Sequence, residues 1–450
     1  MRLARLIAAA LLAAGGSMPA TSAAAPIVLE ATLDNGLRVL VLEDHRNPIA
    51  SVQIWYRVGS RNERPGATGL AHFLEHMMFK GTPTHGKGEF ARLVEQNGGQ
   101  DNAFTSQDVT AYYVDIATDK VDHVLRLEAD RMRNLLLDPR EVESERQVVM
   151  EERRTRSEDD PDGFLYEEVS AIAFRAHPYG WPIIGWMEDI GRIEPVELRR
   201  FYDTYYVPNN ALLVVVGDVS AGALLERIRA HFGPIARGAD PPPVTAVEPP
   251  QRSERRVSVT LPEARLPSVA LAYHVPNFRS PDWPALELTS VILAEGRASR
   301  LYRKLVYEKR MALGAGGEYS SGSADPGLFW FYATPLPGHA PEAIEQAFRE
   351  EIDALEATPP SEEELERAKN QVEAAFVWRQ DSVHSRASSL ARFELQGSWR
   401  LGERFVPAIR AVTAADVQRV VKAYFPRDQK NVGVVRPPAS AAPAGAPPTR

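Results

Sequence analysis

A dense group of prolines near the middle of the chain constrains its fold more than any other sequence feature. Residues 241–250 contain five of the 35 prolines. Proline fixes φ and lacks a backbone N–H, so neither a helix nor a central strand can run through this segment. We therefore predict an extended linker over residues 238–252. It would divide the chain into an N-terminal domain, residues 26–237, and a C-terminal domain, residues 253–436.

The two halves resemble each other in the order of their patterns. Each begins with a strand-like run, residues 51–58 and residues 268–275. Each ends with a helical pattern, aromatic residues and a β-rich run, residues 211–217 and residues 431–435. This order predicts a duplicated α+β unit, so the predicted fold class is α+β with two similar domains. The alternative is chance similarity between strand-like sequences.

Both ends of the chain differ in composition from a folded domain. Arg2 and Arg5 precede the apolar run 6–14, and the small residues 21–25 follow it. This order is typical of a secretory signal peptide over residues 1–25, whose apolar run is too short to span a bilayer stably. It predicts export, most simply to a bacterial periplasm; the alternative is a disordered or membrane-anchoring N-terminus. Residues 437–450 are rich in alanine and proline, which predicts a disordered tail.

Composition narrows the chemistry that is open to the chain. There is no cysteine, so a thiolate nucleophile is excluded and any metal must be held by His, Asp or Glu. Asp and Glu total 60 against 52 Lys and Arg, which gives a net charge of −8. Because neutralisation of phosphates supplies most of the affinity for nucleic acids, we expect no nucleic-acid partner.

Local patterns in the first half predict four elements. Asn35-Gly36 between two apolar runs predicts a β-hairpin. A helix is predicted over residues 69–80, closed by a glycine at position 81. A second helix is predicted from Asp138, its N-cap, to about Ser157. Between the helices, the aromatic and β-branched residues of 102–116 predict paired strands.

The first of these helices contains the sequence His72-Phe73-Leu74-Glu75-His76. Residues i and i+4 are neighbours on one helix face, and residue i+3 lies beside them. The two imidazoles can therefore converge on one ion while Glu75 stands next to it. His-x-x-Glu-His is the helix pattern of inverted zinc peptidases. The alternative is an ordinary helix whose histidines are solvated or satisfied in the core.

Two histidines need a third protein ligand, and the second helix offers candidates. A helix turns by about 100° per residue. Viewed down its axis, Glu145 and Glu152 lie at angles between those of Val148 and Val149, on the stripe that should be buried. Glu151 points the other way. A carboxylate on a buried stripe is costly unless it is paired or bound to a metal. A charge-rich, solvated helix is the alternative interpretation.

These residues are similar to those of a known family. The chain resembles the pitrilysin (insulinase-type) zinc metallopeptidases, and most closely the bacterial relatives of the mitochondrial processing peptidase. The family pattern is His-x-x-Glu-His followed by Glu-Arg-x-Val-x-x-x-Glu, which matches residues 72–76 and 145–152. The resemblance extends to residues 69–71, 77–82 and 102–106 and to the tandem arrangement. It implies two domains, each a mostly antiparallel sheet packed with helices.

The resemblance also implies roles. His72, His76 and Glu152 would ligate one Zn²⁺, and Glu75 would be the general base toward a zinc-activated water. Glu145 would hold a ligand or the water network in place. Asn102, Ala103 and Phe104 match the edge strand to which flexible peptide substrates add by β-augmentation. For Phe104, plain packing within the sheet is the alternative.

The second half departs from the family pattern. Active members carry an Arg and, seven residues later, a Tyr that stabilise the oxyanion, but the matching positions here are Val306 and Leu313. Tyr307 or Arg310 could serve if the alignment is displaced. We therefore predict an inactive-type C-terminal domain and a homologous sister subunit that supplies Arg and Tyr. The predicted function is a zinc-dependent endopeptidase, one subunit of a heterodimer. The alternatives are a non-catalytic scaffold of the same fold and a metal-dependent hydrolase of non-peptide substrates.

Overall fold

The computed structural model describes residues 27–438, and within them the strands form two sheets. The predicted signal peptide and residues 439–450 of the predicted tail lie outside the described residues. The first sheet contains β1 (Val28–Thr32), β2 (Arg38–Glu43), β3 (Ile49–Tyr56), β4 (Gln100–Thr105), β5 (Thr110–Ala117) and β6 (Ala211–Gly217). The second contains β7 (Arg255–Thr260), β8 (Ser268–Val275), β9 (Ala312–Tyr319), β10 (Gly327–Pro335) and β11 (Asn431–Arg436).

Helices pack on both faces of the sheets. Those of the first half are α1 (Leu70–Met77), α2 (Glu89–Gln96), α3 (Val121–Arg133), α4 (Pro139–Arg153), α5 (Pro161–Ala173), α6 (Met187–Ile190), α7 (Pro195–Tyr205) and α8 (Ala221–Phe232). Those of the second half are α9 (Trp283–Leu293), α10 (Arg300–Tyr302), α11 (Pro341–Ala357), α12 (Glu362–Trp378), α13 (Val383–Leu395), α14 (Leu401–Ala411) and α15 (Ala414–Tyr424). No helix within residues 27–438 has the length and apolar character needed to cross a membrane.

The two sheets share one topology, which confirms the predicted α+β duplication. The first sheet has the strand order β1-β2-β6-β3-β5-β4 and the second β7-β11-β8-β10-β9. In each sheet one pair is parallel, β2 with β6 and β7 with β11, and the remaining pairs are antiparallel. The second sheet therefore repeats the first from β2 onward.

The predicted hairpin is β1–β2. Thr32 pairs with Arg38 across a turn in which Gly36 has a φ of 90°. A left-handed φ is strained for a residue with a Cβ, so the Asn-Gly sequence fixes where the chain reverses. The predicted pairing within residues 102–116 is also confirmed, as the antiparallel strands β4 and β5.

Each half covers the outer face of the other half's sheet with one helix. From the first half, Leu165 and Val169 of α5 pack in one apolar cluster with Ala270 and Val435 of the second sheet. In the opposite direction, α13 of the second half packs on the first sheet, where Val383, Ala387 and Ala391 join Trp55, Leu212 and Val214. The halves are therefore joined by reciprocal burial of apolar side chains.

The segment between α8 and β7 contains no helix or strand in the structure. It is nevertheless anchored in its C-terminal part. The carboxylate of Glu248 accepts hydrogen bonds from the backbone N–H groups of Arg175, Ala176 and His177, at 2.9 to 3.1 Å. A carboxylate held by three amides fixes this part of the connection against the first half.

Two details of the predicted helices are corrected by the structure. The second predicted helix begins as expected, with the Asp138 side chain accepting from the Arg140 N–H at 2.8 Å, but α4 ends at Arg153 and residues 154–158 form a π-helical turn. Val148, expected on the buried stripe, is 49% exposed. The side of α4 that carries Val142, Glu145 and Val149 is buried, but Val148 lies outside it. The buried stripe of this helix is therefore narrower than expected.

Candidate metal centre

Two buried carboxylates hold the N-terminal end of α1 in place. Glu63 accepts hydrogen bonds from the backbone N–H groups of Gly69 and Ala71, both at 2.8 Å. Asp189 accepts from the backbone N–H and the hydroxyl of Thr68, at 3.1 and 2.7 Å. Burial raises the pKa of the Glu63 carboxyl well above its usual range. These bonds satisfy N–H groups that a helix start leaves unpaired, and so fix the position of α1.

α1 and α4 bring three possible metal ligands together. Oε2 of Glu152 lies 3.2 Å from Nε2 of His76 and 3.7 Å from Nε2 of His72. One ligand atom from each of the three side chains lies within 4.8 Å of the others, and no other such group of three occurs in residues 27–438. Ligands at about 2.1 Å around a tetrahedral zinc are about 3.4 Å apart. The set of two imidazoles and one carboxylate therefore fits a zinc ion in both chemistry and spacing.

The two imidazoles have different electrostatic surroundings. Burial, together with the neighbouring His76, lowers the pKa of His72 to about 4. Burial also acts to lower the pKa of His76, but its hydrogen bonds to the Glu145 and Glu152 carboxylates outweigh this and raise the pKa to about 9. Cationic charge is thus favoured where two carboxylates meet the imidazoles, which is also where a divalent cation would be stabilised.

Glu145 contacts His76 from the side opposite Glu152. Its Oε1 lies 2.9 Å from Nδ1 of His76, and its Oε2 forms an ion pair with the ammonium group of Lys80. A carboxylate at Nδ1 fixes the ring so that Nε2 faces the other ligands. Lys80 was not among the predicted site residues. The sequence signal that could have indicated Lys80 is its spacing of four residues from His76, which places both on the same side of a helical turn.

Glu75 is held by a residue of the edge strand. The Thr105 hydroxyl donates a hydrogen bond to Oε2 of Glu75 at 2.6 Å. Burial raises the pKa of the Glu75 carboxyl, partly offset by this hydrogen bond. Thr105 was another residue that the sequence did not indicate, because the contact joins two elements separated by 30 positions.

The predicted substrate strand lies at an edge of the first sheet. Among the described strands, β4 pairs only with β5, so one edge of its backbone has no neighbouring strand. Asn102 is exposed, and Ala103 packs partly against the core of the first half. Phe104 packs edge to face on Trp55, with the ring centroids 5.3 Å apart. Its side chain thus has the sheet-packing role considered as the alternative, while the backbone edge remains suited to β-augmentation.

Comparison with known proteins places the chain in a family. The model described as "Insulinase (Peptidase family M16)" matches residues 38–186, and "Peptidase M16 inactive domain" matches residues 192–372. A protein of Helicobacter pylori named "Zinc protease PqqE" is 34% identical over 97% of this chain and 98% of its own length. The chain belongs to the insulinase, or M16, peptidase family. The resemblance to pitrilysin-type peptidases is therefore confirmed.

Solved structures agree with this assignment. The crystal structure of a protease from Helicobacter pylori matches with a TM-score of 0.89 at 33% identity, covering 92% of this chain and all of that one. The periplasmic protease PqqL from Escherichia coli shares the fold, with a TM-score of 0.74 at 20% identity. That match covers 94% of this chain but only 50% of PqqL. The M16 fold of this chain thus corresponds to half of a longer chain in PqqL.

The second half contributes none of the polar contacts described for the candidate site. Within residues 27–438, the recorded hydrogen bonds and ion pairs of the three possible ligands and of Glu75 all involve first-half residues. Val306 is half-buried in a π-helical turn, and Leu313, in β9, is 63% exposed. Neither side chain can donate a hydrogen bond.

Proposed function

We propose that this M16 family member is a zinc-dependent endopeptidase that hydrolyses flexible or unfolded peptides. The observation that carries the proposal is the convergence of His72, His76 and Glu152 beside a separately held Glu75. A scaffold protein has no need of all four groups in this arrangement. A hydrolase of non-peptide substrates would not need the open edge of β4 next to them.

The residues of the chain would divide the reaction among them. A zinc ion held by His72, His76 and Glu152 would polarise the scissile carbonyl and lower the pKa of the attacking water to roughly 7. Because Oε2 of Glu75 accepts from Thr105, Oε1 is the oxygen available to take a proton from that water. Glu75 would then deliver the proton to the nitrogen of the leaving amine. Its raised pKa suits both steps.

β4 would position the substrate. An extended peptide can add to the edge of β4 and hydrogen-bond to its backbone, with Asn102, Ala103 and Phe104 along the contact. Thr105, at the end of the same strand, contacts Glu75, so a peptide on β4 lies beside the reacting groups. Recognition through backbone atoms favours broad selectivity among flexible chains.

A homologous sister subunit would complete the site. Val306 and Leu313 stand where the family pattern has Arg and Tyr, and loss of one oxyanion donor typically costs about 3–4 kcal/mol. The match covers only half of PqqL, so that chain has room for a second unit of this size, which supports the idea that a second chain pairs with this one. We propose a heterodimer in which the sister chain supplies Arg and Tyr.

We also propose that the chain is exported to a periplasm after removal of residues 1–25. The charged start, apolar run and small-residue exit of that segment support this location. N-terminal sequencing of protein purified from the periplasmic fraction should give a mature start near residue 26, whereas an intact N-terminus in the cytoplasmic fraction would contradict export.

The function is tested by comparing wild type with Glu75→Gln, a change that keeps the shape of the side chain but removes the base. Elemental analysis should find about one zinc per chain in both proteins, and only wild type, assayed with its sister chain, should hydrolyse an unstructured peptide. Glu151→Gln, on the exposed side of α4, is the matched control and should stay active.

Wild-type protein that contains no zinc when purified without chelator would refute the site. Zinc-loaded protein that is inactive with and without the sister chain would favour the scaffold, and full activity alone would refute the heterodimer.

A further inference from the structure

The π-helical turn after α4 places two arginines on two adjacent glutamates. Nη1 of Arg156 lies 2.8 Å from Oε1 of Glu152, and the guanidinium of Arg154 pairs with Glu151. The turn is closed by a hydrogen bond from the Asp159 N–H to the Arg154 carbonyl at 2.8 Å. Turns of this type within helices occur frequently at functional sites. The two pairs have the same chemistry, but Glu151 faces solvent and Glu152 faces the two imidazoles.

The oxygens of Glu152 have different partners. Oε2 faces Nε2 of both His72 and His76, at 3.7 and 3.2 Å, whereas Oε1 forms an ion pair with Nη1 of Arg156 at 2.8 Å. Tilting the carboxylate plane away from this orientation would move its outer oxygen away from Arg156. A carboxylate held in this way presents a single oxygen toward the point where the imidazoles converge.

Arg156 has no evident role in the stability of the fold. Its side chain is 73% exposed, and an exposed ion pair at i,i+4 contributes only about 0.3–0.5 kcal/mol to the stability of a helix. The side chain of Glu152, by contrast, is 18% exposed. The pair therefore brings a solvent-facing cation to the outer oxygen of a largely covered carboxylate.

We propose that Arg156 is a positioning residue for the metal centre: its guanidinium holds the Glu152 carboxylate so that one oxygen points toward His72 and His76. The inference rests on the proposed function, because it assumes that these three side chains bind the metal. Groups that contact the outer side of a metal ligand orient it, and their loss typically weakens metal affinity 10–100-fold. A planar guanidinium restrains a carboxylate more tightly than an ammonium group does.

The test compares the zinc affinity of full-length wild type, Arg156→Met, Arg156→Lys and Arg154→Met by competition with a chromophoric chelator. We expect Arg156→Met to bind Zn²⁺ 10–100-fold more weakly, with Arg156→Lys between it and wild type. Arg154→Met removes the matched pair on the exposed glutamate and should stay within about twofold of wild type. Absorption spectra of the Co²⁺-loaded proteins provide a second measurement, because the ligand-field bands report coordination and should change only in the Arg156 variants.

The outcomes separate this inference from the proposed function. Zinc binding by Arg156→Met within twofold of wild type, with an unchanged Co²⁺ spectrum, would overturn the role of Arg156 and leave the metal site intact. Equal loss in Arg154→Met would also overturn it, because the effect would then belong to the turn rather than to Glu152. A wild-type protein that binds neither metal would refute both proposals. As a control for folding, the unfolding temperatures of wild type and all variants in excess chelator should agree. If Arg156→Met does not fold, Arg156→Gln takes its place.

Discussion

At the scale of single residues, four glutamates in or next to the candidate site have different neighbours. Glu63 accepts from backbone amides at the start of α1, and Glu75 accepts from the hydroxyl of Thr105. Glu145 contacts His76 and Lys80, while Glu152 faces both imidazoles. The donors and charges around a carboxylate determine its pKa and orientation, and so whether it is suited to cap a helix, take a proton or face a metal.

Replacement of Glu145 by Gln should weaken zinc binding. The amide can still accept from Nδ1 of His76, but the charge that faces both His76 and Lys80 is lost. We expect a 10–100-fold higher dissociation constant for Zn²⁺, measured by chelator competition. Glu151→Gln, on the exposed side of the same helix, is the control and should bind as wild type does. Unchanged affinity in Glu145→Gln would show that Glu145 does not support the site.

At the scale of elements, the helices that cross between the halves pack at short distances. α5 lies so close to β11 that a Cβ on Gly433 would fall 2.3 Å from Cγ2 of Val169 and 2.6 Å from Cδ1 of Leu165. Glycine is therefore required at this position by the neighbouring helix, not by the strand. The sequence of β11 alone gives no reason for it.

Gly433→Val should destabilise the protein by displacing α5 from the second sheet. Overpacking of a closely packed site typically costs about 1–3 kcal/mol, which chemical denaturation measured by circular dichroism would detect. Gly222→Ala, in α8, is the control, because a Cβ there meets no atom within 4 Å. It should leave stability unchanged or slightly raised. A Gly433→Val protein as stable as wild type would mean that α5 is not packed on β11 in solution.

At the scale of the whole molecule, α5 and α13 each cover an outer face of the opposite half's sheet. The outer face of the first sheet buries Trp55, Leu212 and Val214 under a helix that lies more than 160 residues further along the chain. The network of Arg61, Asp108, Tyr179 and Asp325 links the halves again, close to the turn that follows Thr105. The turn that follows Thr105, the residue that contacts Glu75, is therefore linked to the second half.

Residues 27–237 expressed alone should not form a stable domain. Without α13 the outer face of the first sheet would be an exposed apolar surface, so we expect aggregation or strong binding of a hydrophobic dye. Co-expression with residues 238–438 should restore a soluble complex with the circular dichroism spectrum of the whole chain. A monomeric first half that unfolds cooperatively and binds no dye would contradict this dependence.

The sequence predicted the parts of the structure that depend on near neighbours in the chain. The hairpin at Asn35-Gly36, the N-cap Asp138 and the convergence of His72 and His76 follow from turn geometry and from the helical spacing of four residues. The duplicated order of strands and helices was also readable, because each half repeats the same local patterns. The length of α4 was overestimated, since the same residues can continue as an α-helix or as a π-helical turn.

The sequence alone therefore determined the two α+β units and the His-x-x-Glu-His pattern of α1, because both arise from periodicities that neighbouring residues impose. Only the tertiary structure decided that Oε2 of Glu152 faces the imidazoles while Glu145 turns toward Lys80, and that Thr105 and Arg156 contact the acidic groups. It also decided that α5 packs on the second sheet and α13 on the first. These contacts depend on how separate elements pack, and packing is set by the fit of distant side chains, which no local pattern encodes.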